Sequence, residues 1–261
     1  MGVTVDNRAV VSPKAQLEPG VVVGPFAIIE DNVTIGGGTV VGSHALIASG
    51  SRIARECRIH HGAVIGSAPQ DLKFRGEQTT IEIGSHTTIR EYATLNRGTS
   101  ERGKTTIGSH CFIMAYAHVA HDCSVGNNVI LANSVNMAGH VVIEDHVVIG
   151  GLVPVHQFVR IGCHAMIGGG FRVPKDVPPY ILAGQEPLVF QGLNLVGLKR
   201  RNFSRESLDL IRRTYQIVYE SNLNVSQALE RIRAELPASE EITRLVEFIE
   251  KSKRGIIGYR R

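Results

Sequence analysis

Tryptophan is absent from this 261-residue chain and aromatic residues make up only 5% of it. Its four cysteines show no C-x-x-C spacing, so neither a disulfide framework nor a thiol nucleophile is indicated. No stretch approaches the ~20 uninterrupted apolar residues of a membrane span, and the chain opens without a basic-then-apolar signal pattern. A soluble, cytoplasmic protein is expected. Excess charge of one sign is also scarce. The net charge of +4 permits an acidic partner, but without a dense Lys/Arg stripe interleaved with aromatics nucleic acid is not expected.

What is present is a beat of six. Val11, Leu17, Val23, Ile29, Ile35, Val41, Ile47, Ile53, Ile59 and Ile65 begin it, and Ile149, Val155, Ile161, Ile167 and Val173 end it. Of the 28 positions in that register from 11 to 173, 25 are Val, Ile, Leu or Met, and only Asp71, Glu77 and Glu101 break step. The residue four places later is nearly always small, as at Ala15, Ala27, Ala45, Cys57, Ala63, Ala93, Cys111, Ala117 and Cys123. Both sets therefore point inward. Cysteines 57, 111 and 123 thus read as core filler, small and apolar. Period six fits neither a helix nor an open strand, and it is the period of hexapeptide β-helix repeats. Three six-residue faces make one coil of 18, with coils stacked about 4.8 Å apart.

The beat assigns residues 1–180 to a parallel β-helix and 181–261 to a second, α-helical unit. Two excursions, near 67–80 and 98–106, interrupt the solenoid without shifting its phase. Loops of this kind tend to carry function. The prolines of KDVPPY stop the repeat after Val173. Beyond them the apolar residues Leu208, Ile211, Tyr215 and Val218 follow a helical period behind a capping Ser204, and amphipathic segments lie near 225–236 and 239–252. Such a unit would shield an open end of the prism.

Eleven histidines are many for this length. His44, His86, His110, His140, His146 and His164 all sit three places after the aliphatic residue, in corners where a solvated turn is the default reading. His118, His121 and His156 do not. Adding 18 to His121 gives Gly139, and adding 18 again gives Gln157, so these three are expected in one column, with Asp122 and His140 in the next. His118, His121, Asp122, Gly139, His140, His156 and Gln157 should therefore share one wall of the prism. A zinc site is the rival reading of such a wall. It is disfavoured because the hexapeptide-repeat carbonic anhydrases place their histidine pair five apart, whereas His118 and His121 are three apart, so no metal and no cofactor is expected.

The strings QDLK at 70–73, IRE at 89–91, RGT at 97–99, AHVAHDC at 117–123, ILAN at 130–133, AGH at 138–140, VHQF at 155–158, DVPPY at 176–180 and GLKRRNFSRE at 197–206 are similar to those of the UDP-N-acetylglucosamine O-acyltransferase family, which opens lipid A synthesis. The resemblance spans nearly the whole chain and implies a left-handed hand for the β-helix. It also implies transfer of an R-3-hydroxyacyl chain from acyl carrier protein to the glucosamine 3-position of UDP-N-acetylglucosamine, within a homotrimer whose active sites lie between prisms. On that resemblance His121 matches the general base, Asp122 the carboxylate that orients it, and Gly139 the oxyanion donor. Asp71, Lys73, His118, His140, His156, Gln157, Asn194, Arg200 and Arg201 match substrate-binding positions, and Gly169 the determinant of acyl length. Glycine at 169 blocks nothing, which implies a long groove and a longer acyl chain. The resemblance departs at Val196 and Asn96, where some members carry an acidic residue and a histidine. A related N-acyltransferase is disfavoured because hexads begin at Val11, leaving no room for an added N-terminal domain. An acetyl-CoA-dependent hexapeptide transferase and a non-enzymatic β-helical platform are the remaining alternatives.

Overall fold

The computed structural model describes residues 2–259. Its strands form three parallel sheets that wrap a left-handed β-helix, followed by a helical segment. Sheet I begins at Thr4–Val5, sheet II at Val10–Val11 and sheet III at Gln16–Leu17, and the chain visits them in that order coil after coil. Most strands are two residues long with the first outward and the second buried, which is why the aliphatic beat is six. Regular coils advance by 18 residues, as where Phe112 pairs with Ile130 and Ile130 with Val148.

Most corners turn through a residue of positive φ. Phe26, Asn32, His44, His86, His110, Asp122, Asn128, His140 and His164 all lie between 51° and 62°. Asn, Asp and His are the non-glycine residues most tolerant of that region. The corner histidines are therefore explained first by backbone geometry.

The excursions keep phase because their lengths are multiples of six. Thr88 pairs back to Arg58, 30 residues earlier, and forward to Phe112, 24 residues later, against 18 in a regular coil. The loops themselves are residues 68–79 and 97–103. The second is shorter than the expected 98–106, because Lys104–Ile107 already pairs along Thr80–Ile83.

Sheet I does not end at 180. Ile181–Gly184 pairs with Met166–Ile167 and turns back as an antiparallel hairpin with Val189–Leu193, an element the sequence reading lacked. Bridges from Val155 to Val173 and from Ile161 to Val177 finish the other two sheets. Four helices follow: α1 (Leu195–Arg200), α2 (Arg205–Glu220), α3 (Val225–Glu235) and α4 (Glu240–Glu250). Ser204 caps α2 by accepting from the Ser207 N–H, as its position suggested. Tyr215 donates to the Pro179 carbonyl at 2.6 Å, and the Arg160 guanidinium lies 4.4 Å from the Phe248 ring centre. The helices thereby cover the last coils, whose unpaired edge would otherwise be open to other chains.

The core is a continuous column of Ile, Val, Leu and Ala inside the prism. Ile113 is fully buried between Ile89 and Leu131 in sheet I. Ile113→Ala should lower unfolding free energy by about 2–5 kcal/mol, from lost transfer energy and the cavity left behind. Denaturant titration measures this, and an unchanged midpoint at unchanged slope would contradict a rigidly packed column.

Candidate active site

The turn from sheet II to sheet III gathers most of the candidate residues. Both excursions leave the prism at this edge, between Val64–Ser67 and Thr80–Ile83 and between Thr94–Asn96 and Lys104–Ile107. The next two coils turn the same corner at 120–123 and 138–141. The His140 N–H donates to the His121 carbonyl at 3.1 Å, and the Phe158 N–H to the Gly139 carbonyl at 3.2 Å. The 18-residue columns therefore stand as the sequence arithmetic requires.

The His121 ring lies directly over Gly139. A Cβ at residue 139 would meet His121 Cε1 at 2.7 Å and Nε2 at 2.8 Å, closer than real Cβ contacts come. Glycine is required here by this approach. No acceptor among the described residues takes the buried Gly139 N–H.

Asp122 is fully buried. Its Oδ2 lies 2.8 Å from His121 Nδ1, its Oδ1 accepts the Thr99 N–H at 3.0 Å, and its Oδ2 accepts the Thr99 hydroxyl at 2.6 Å. Burial alone would raise its pKa, yet the hydrogen bonds from Thr99 and His121 outweigh that and hold the carboxyl below its ordinary value. Asp122 is thus an acceptor, so Nδ1 of His121 carries the hydrogen toward it, and in the neutral imidazole the lone pair falls on Nε2.

The other histidines surround this pair. His140 Nε2 is 3.3 Å from Glu101 and 3.7 Å from Asp122, and its ring stands edge-on to His121 and stacks on Phe158. Burial lowers the His140 pKa against the pull of Asp122 and Glu101. His118 projects from sheet II, with Nδ1 2.7 Å from the Thr94 hydroxyl, and burial lowers its pKa as well. His156 is exposed and Gln157 half-buried one coil beyond Gly139. A recess of about 390 Å³ opens beside His156, lined by Pro154, Val155, Arg172, Val173, Pro174 and Glu186.

His121, Asp122 and His140 offer three ligand atoms within 4.8 Å of one another. The 2.8 Å separation of His121 Nδ1 from Asp122 Oδ2 is that of a hydrogen bond. Two ligands each ~2.0–2.2 Å from a tetrahedral zinc ion would stand farther apart. The four buried cysteines offer no alternative nucleophile, since burial pushes the Cys123 thiol up to about 12 and Cys111 and Cys163 to about 11.

Asp71 and Lys73 also belong to the sheet II to III edge, in the first excursion. There Asp71 Oδ1 accepts the Lys73 N–H at 2.9 Å, and Phe74 lies under Arg97 at 5.4 Å. Asn194, Arg200 and Arg201 do not join them within one chain. Asn194 caps α1, accepting from the Gly197 N–H and donating to the His164 carbonyl at 2.9 Å, which puts it at the sheet III to I edge. Arg201 donates to the Gly197 carbonyl beside it, and Arg200 is exposed. Gly169 lies at the third edge, between sheets I and II.

Thr99, Glu101 and Arg102 were not read as site residues. The signals were present: RGT at 97–99 is one of the matching strings, and Glu101 breaks the aliphatic beat. Asn96 is also buried here, with its Nδ2 2.8 Å from the Ser67 hydroxyl and its Oδ1 unpartnered.

Comparison with known proteins agrees with this architecture. The family pattern for bacterial transferase hexapeptides matches residues 8–43 and 104–139, and that for domain 2 of UDP-N-acetylglucosamine O-acyltransferase matches 176–257. The acyl-[acyl-carrier-protein]--UDP-N-acetylglucosamine O-acyltransferase of Herminiimonas arsenicoxydans is 45% identical over 97% of this chain and 98% of its own. That of Janthinobacterium sp. (strain Marseille) is 46% identical over 95% and 97%. Among solved structures, a UDP-N-acetylglucosamine acyltransferase from Bacteroides fragilis superposes with a TM-score of 0.94 at 46% identity, covering 97% of this chain and 99% of that one. One from Francisella novicida gives 0.95 at 36%, covering 98% and 94%.

The depressed pKa of Asp122 fixes a sign. Its stabilising contribution is present above the ordinary carboxylate value and is lost as pH falls through the depressed one. Asp122→Asn should therefore be less stable than the parent by a constant margin above about pH 4, and the margin should shrink below it. Denaturation midpoints at pH 7 and pH 3 measure this, and a margin unchanged at pH 3 would contradict an ionised Asp122.

Proposed function

The chain belongs to the UDP-N-acetylglucosamine O-acyltransferase family, acyltransferases of lipid A biosynthesis, and on that premise we propose that His121 and Gly139 carry out direct acyl transfer. The donor is an R-3-hydroxyacyl chain on acyl carrier protein, and the acceptor is the glucosamine 3-position of UDP-N-acetylglucosamine. The observation that carries this reading is the His121 ring, oriented by Asp122 at 2.8 Å and lying against the bare amide of Gly139.

A sugar hydroxyl is a poor nucleophile until its proton leaves in the transition state. His121 Nε2 takes that proton as the oxygen attacks the thioester carbonyl, and the imidazolium is stabilised through Nδ1–H by Asp122. The Gly139 N–H faces the resulting oxyanion, a contribution of about 2.7–4 kcal/mol in comparable sites. Collapse breaks the carbon–sulfur bond, and the proton on Nε2 passes to the leaving thiolate. No acyl-enzyme forms, in keeping with four buried, weakly acidic thiols. His118, His140, His156, Gln157, Asp71 and Lys73 line the same edge as substrate contacts.

The faces of the prism support a homotrimer. Sheet I presents Val22, Val40, Phe112, Ile130, Val148 and Met166 outward beside Arg58 and Thr88, and sheet II presents Val10, Ile28, Leu46 and Val64 in its first coils and Thr94, His118, Asn136 and Pro154 in its later ones. Sheet III presents Gln16, Thr34, Arg52, Glu82, Thr106 and Ser124. The largely apolar face of sheet I and the apolar first coils of sheet II, against a mostly polar sheet III, suit a closed ring in which sheet I of one copy covers sheet II of the next. At the outer rim of each contact, the sheet II to III edge of one copy meets the sheet III to I edge of its neighbour. That junction would bring Asn194, Arg200 and Arg201 of one subunit to His121 of another, with the Arg guanidinium forks suited to a diphosphate. An acyl chain would run inward between the apolar faces, toward the edge that carries Gly169.

His121→Ala should fold and lose kcat by about 10²- to 10⁴-fold with acyl carrier protein thioesters, whether the acceptor is UDP-N-acetylglucosamine or its 3-amino analogue. Retained turnover would exclude His121 as the base. Light scattering should give a trimer for the parent and smaller species for Ile28→Asp. A fully active monomer would sink the shared-site reading.

A further inference from the structure

We propose that Thr99 is a positioning residue of this reaction, holding both oxygens of Asp122 so that the carboxylate stays aimed at His121; the proposal rests on the roles given above to His121 and Asp122. A carboxylate with no solvent exposure depends on the hydrogen bonds it receives. Asp122 receives three, and Thr99 supplies two of them: its N–H to Oδ1 at 3.0 Å and its hydroxyl to Oδ2 at 2.6 Å. The third comes from His121 to the same Oδ2.

The hydroxyl has one proton to give. Thr99 Oγ1 also accepts the Glu101 N–H at 3.2 Å, so its own hydrogen is directed to the carboxylate, which can only accept. Thr99 is 8% exposed, and its carbonyl accepts the Gly103 N–H at 2.7 Å, closing the loop 97–103 on itself. The backbone of Asp122 is fixed from the same side. Its N–H donates to the Thr105 hydroxyl at 2.8 Å and its carbonyl accepts from Arg102 at 3.0 Å. The six extra residues of this coil therefore close over Asp122.

The charged and titratable groups facing Asp122 are His121 beside it, His140 from the next coil, and Glu101 and Arg102 from the loop, with His118 facing His121 from sheet II. None of these supplies Asp122 Oδ1 with a hydrogen bond. Removing the Thr99 hydroxyl makes the carboxylate take up a proton more readily and loosens its hold on the imidazole.

The test compares Thr99→Val, Thr99→Ser and His121→Ala in the full-length protein. Steady-state kinetics use an R-3-hydroxyacyl carrier protein and UDP-N-acetylglucosamine, and carbon-13 NMR follows the Asp122 carboxyl. Thr99→Val should lower kcat roughly 10- to 100-fold with KM changed less than about threefold, because a hydrogen bond to a charged group is lost. The Asp122 titration should move to higher pH, and Thr99→Ser should restore both the titration and kcat. A merely structural role would lower the melting temperature without moving the titration. Wild-type kcat and an unmoved titration in Thr99→Val, beside an inactive His121→Ala, would overturn the proposal and leave His121 in place. Turnover retained by His121→Ala would instead overturn the reading beneath it, while the Asp122 titration would still decide the Thr99 contact. Should Thr99→Val fail to fold, Thr99→Ala carries the same test.

Discussion

Everything at the reactive edge depends on the ladder that seats each coil on the one before it. Parallel strands spaced about 4.8 Å apart leave no freedom in which residues stand above one another once the coil length is 18. His121 and Gly139 meet because the carbonyl of one accepts the N–H that follows the other. The coil from His121 to Gly139 carries no insertion, and both excursions leave and re-enter the prism before it. The aliphatic beat that holds the core is thus also what holds the imidazole over the amide.

The second dependency is electrostatic. A buried carboxylate next to an imidazole would protonate unless its charge were satisfied, and the loop 97–103 provides that satisfaction from outside the repeat. A hexad coil offers only short corner turns, too small to close over a side chain. The excursion gives the fold a wall it cannot build from repeats alone, which is why the polar loops gather on the edge where the histidines are.

The three edges of the prism divide the labour. His121 and Asp122 are at one, Asn194 and the start of α1 at a second, and Gly169 at the third. A single chain keeps these apart by the width of its faces.

The β-helix was legible because every coil repeats the same inward requirement, and so was the column of His121, Gly139 and Gln157, which is arithmetic on a fixed period. The terminal hairpin Ile181–Leu193 was not, since it follows no repeat and exists to finish a sheet edge. Thr99 was hidden for a similar reason: its register lies in a loop, where no period says which way a hydroxyl points. Asn194 is matched to substrate by resemblance, and within the chain its amide serves the α1 cap and the His164 carbonyl. The sequence by itself determined the coil, its phase and the identity of the stacked groups, because backbone hydrogen bonding makes these local and periodic. Tertiary structure alone decided which loop satisfies Asp122 and which edge each group occupies, because those depend on directions in space that a one-dimensional beat does not carry.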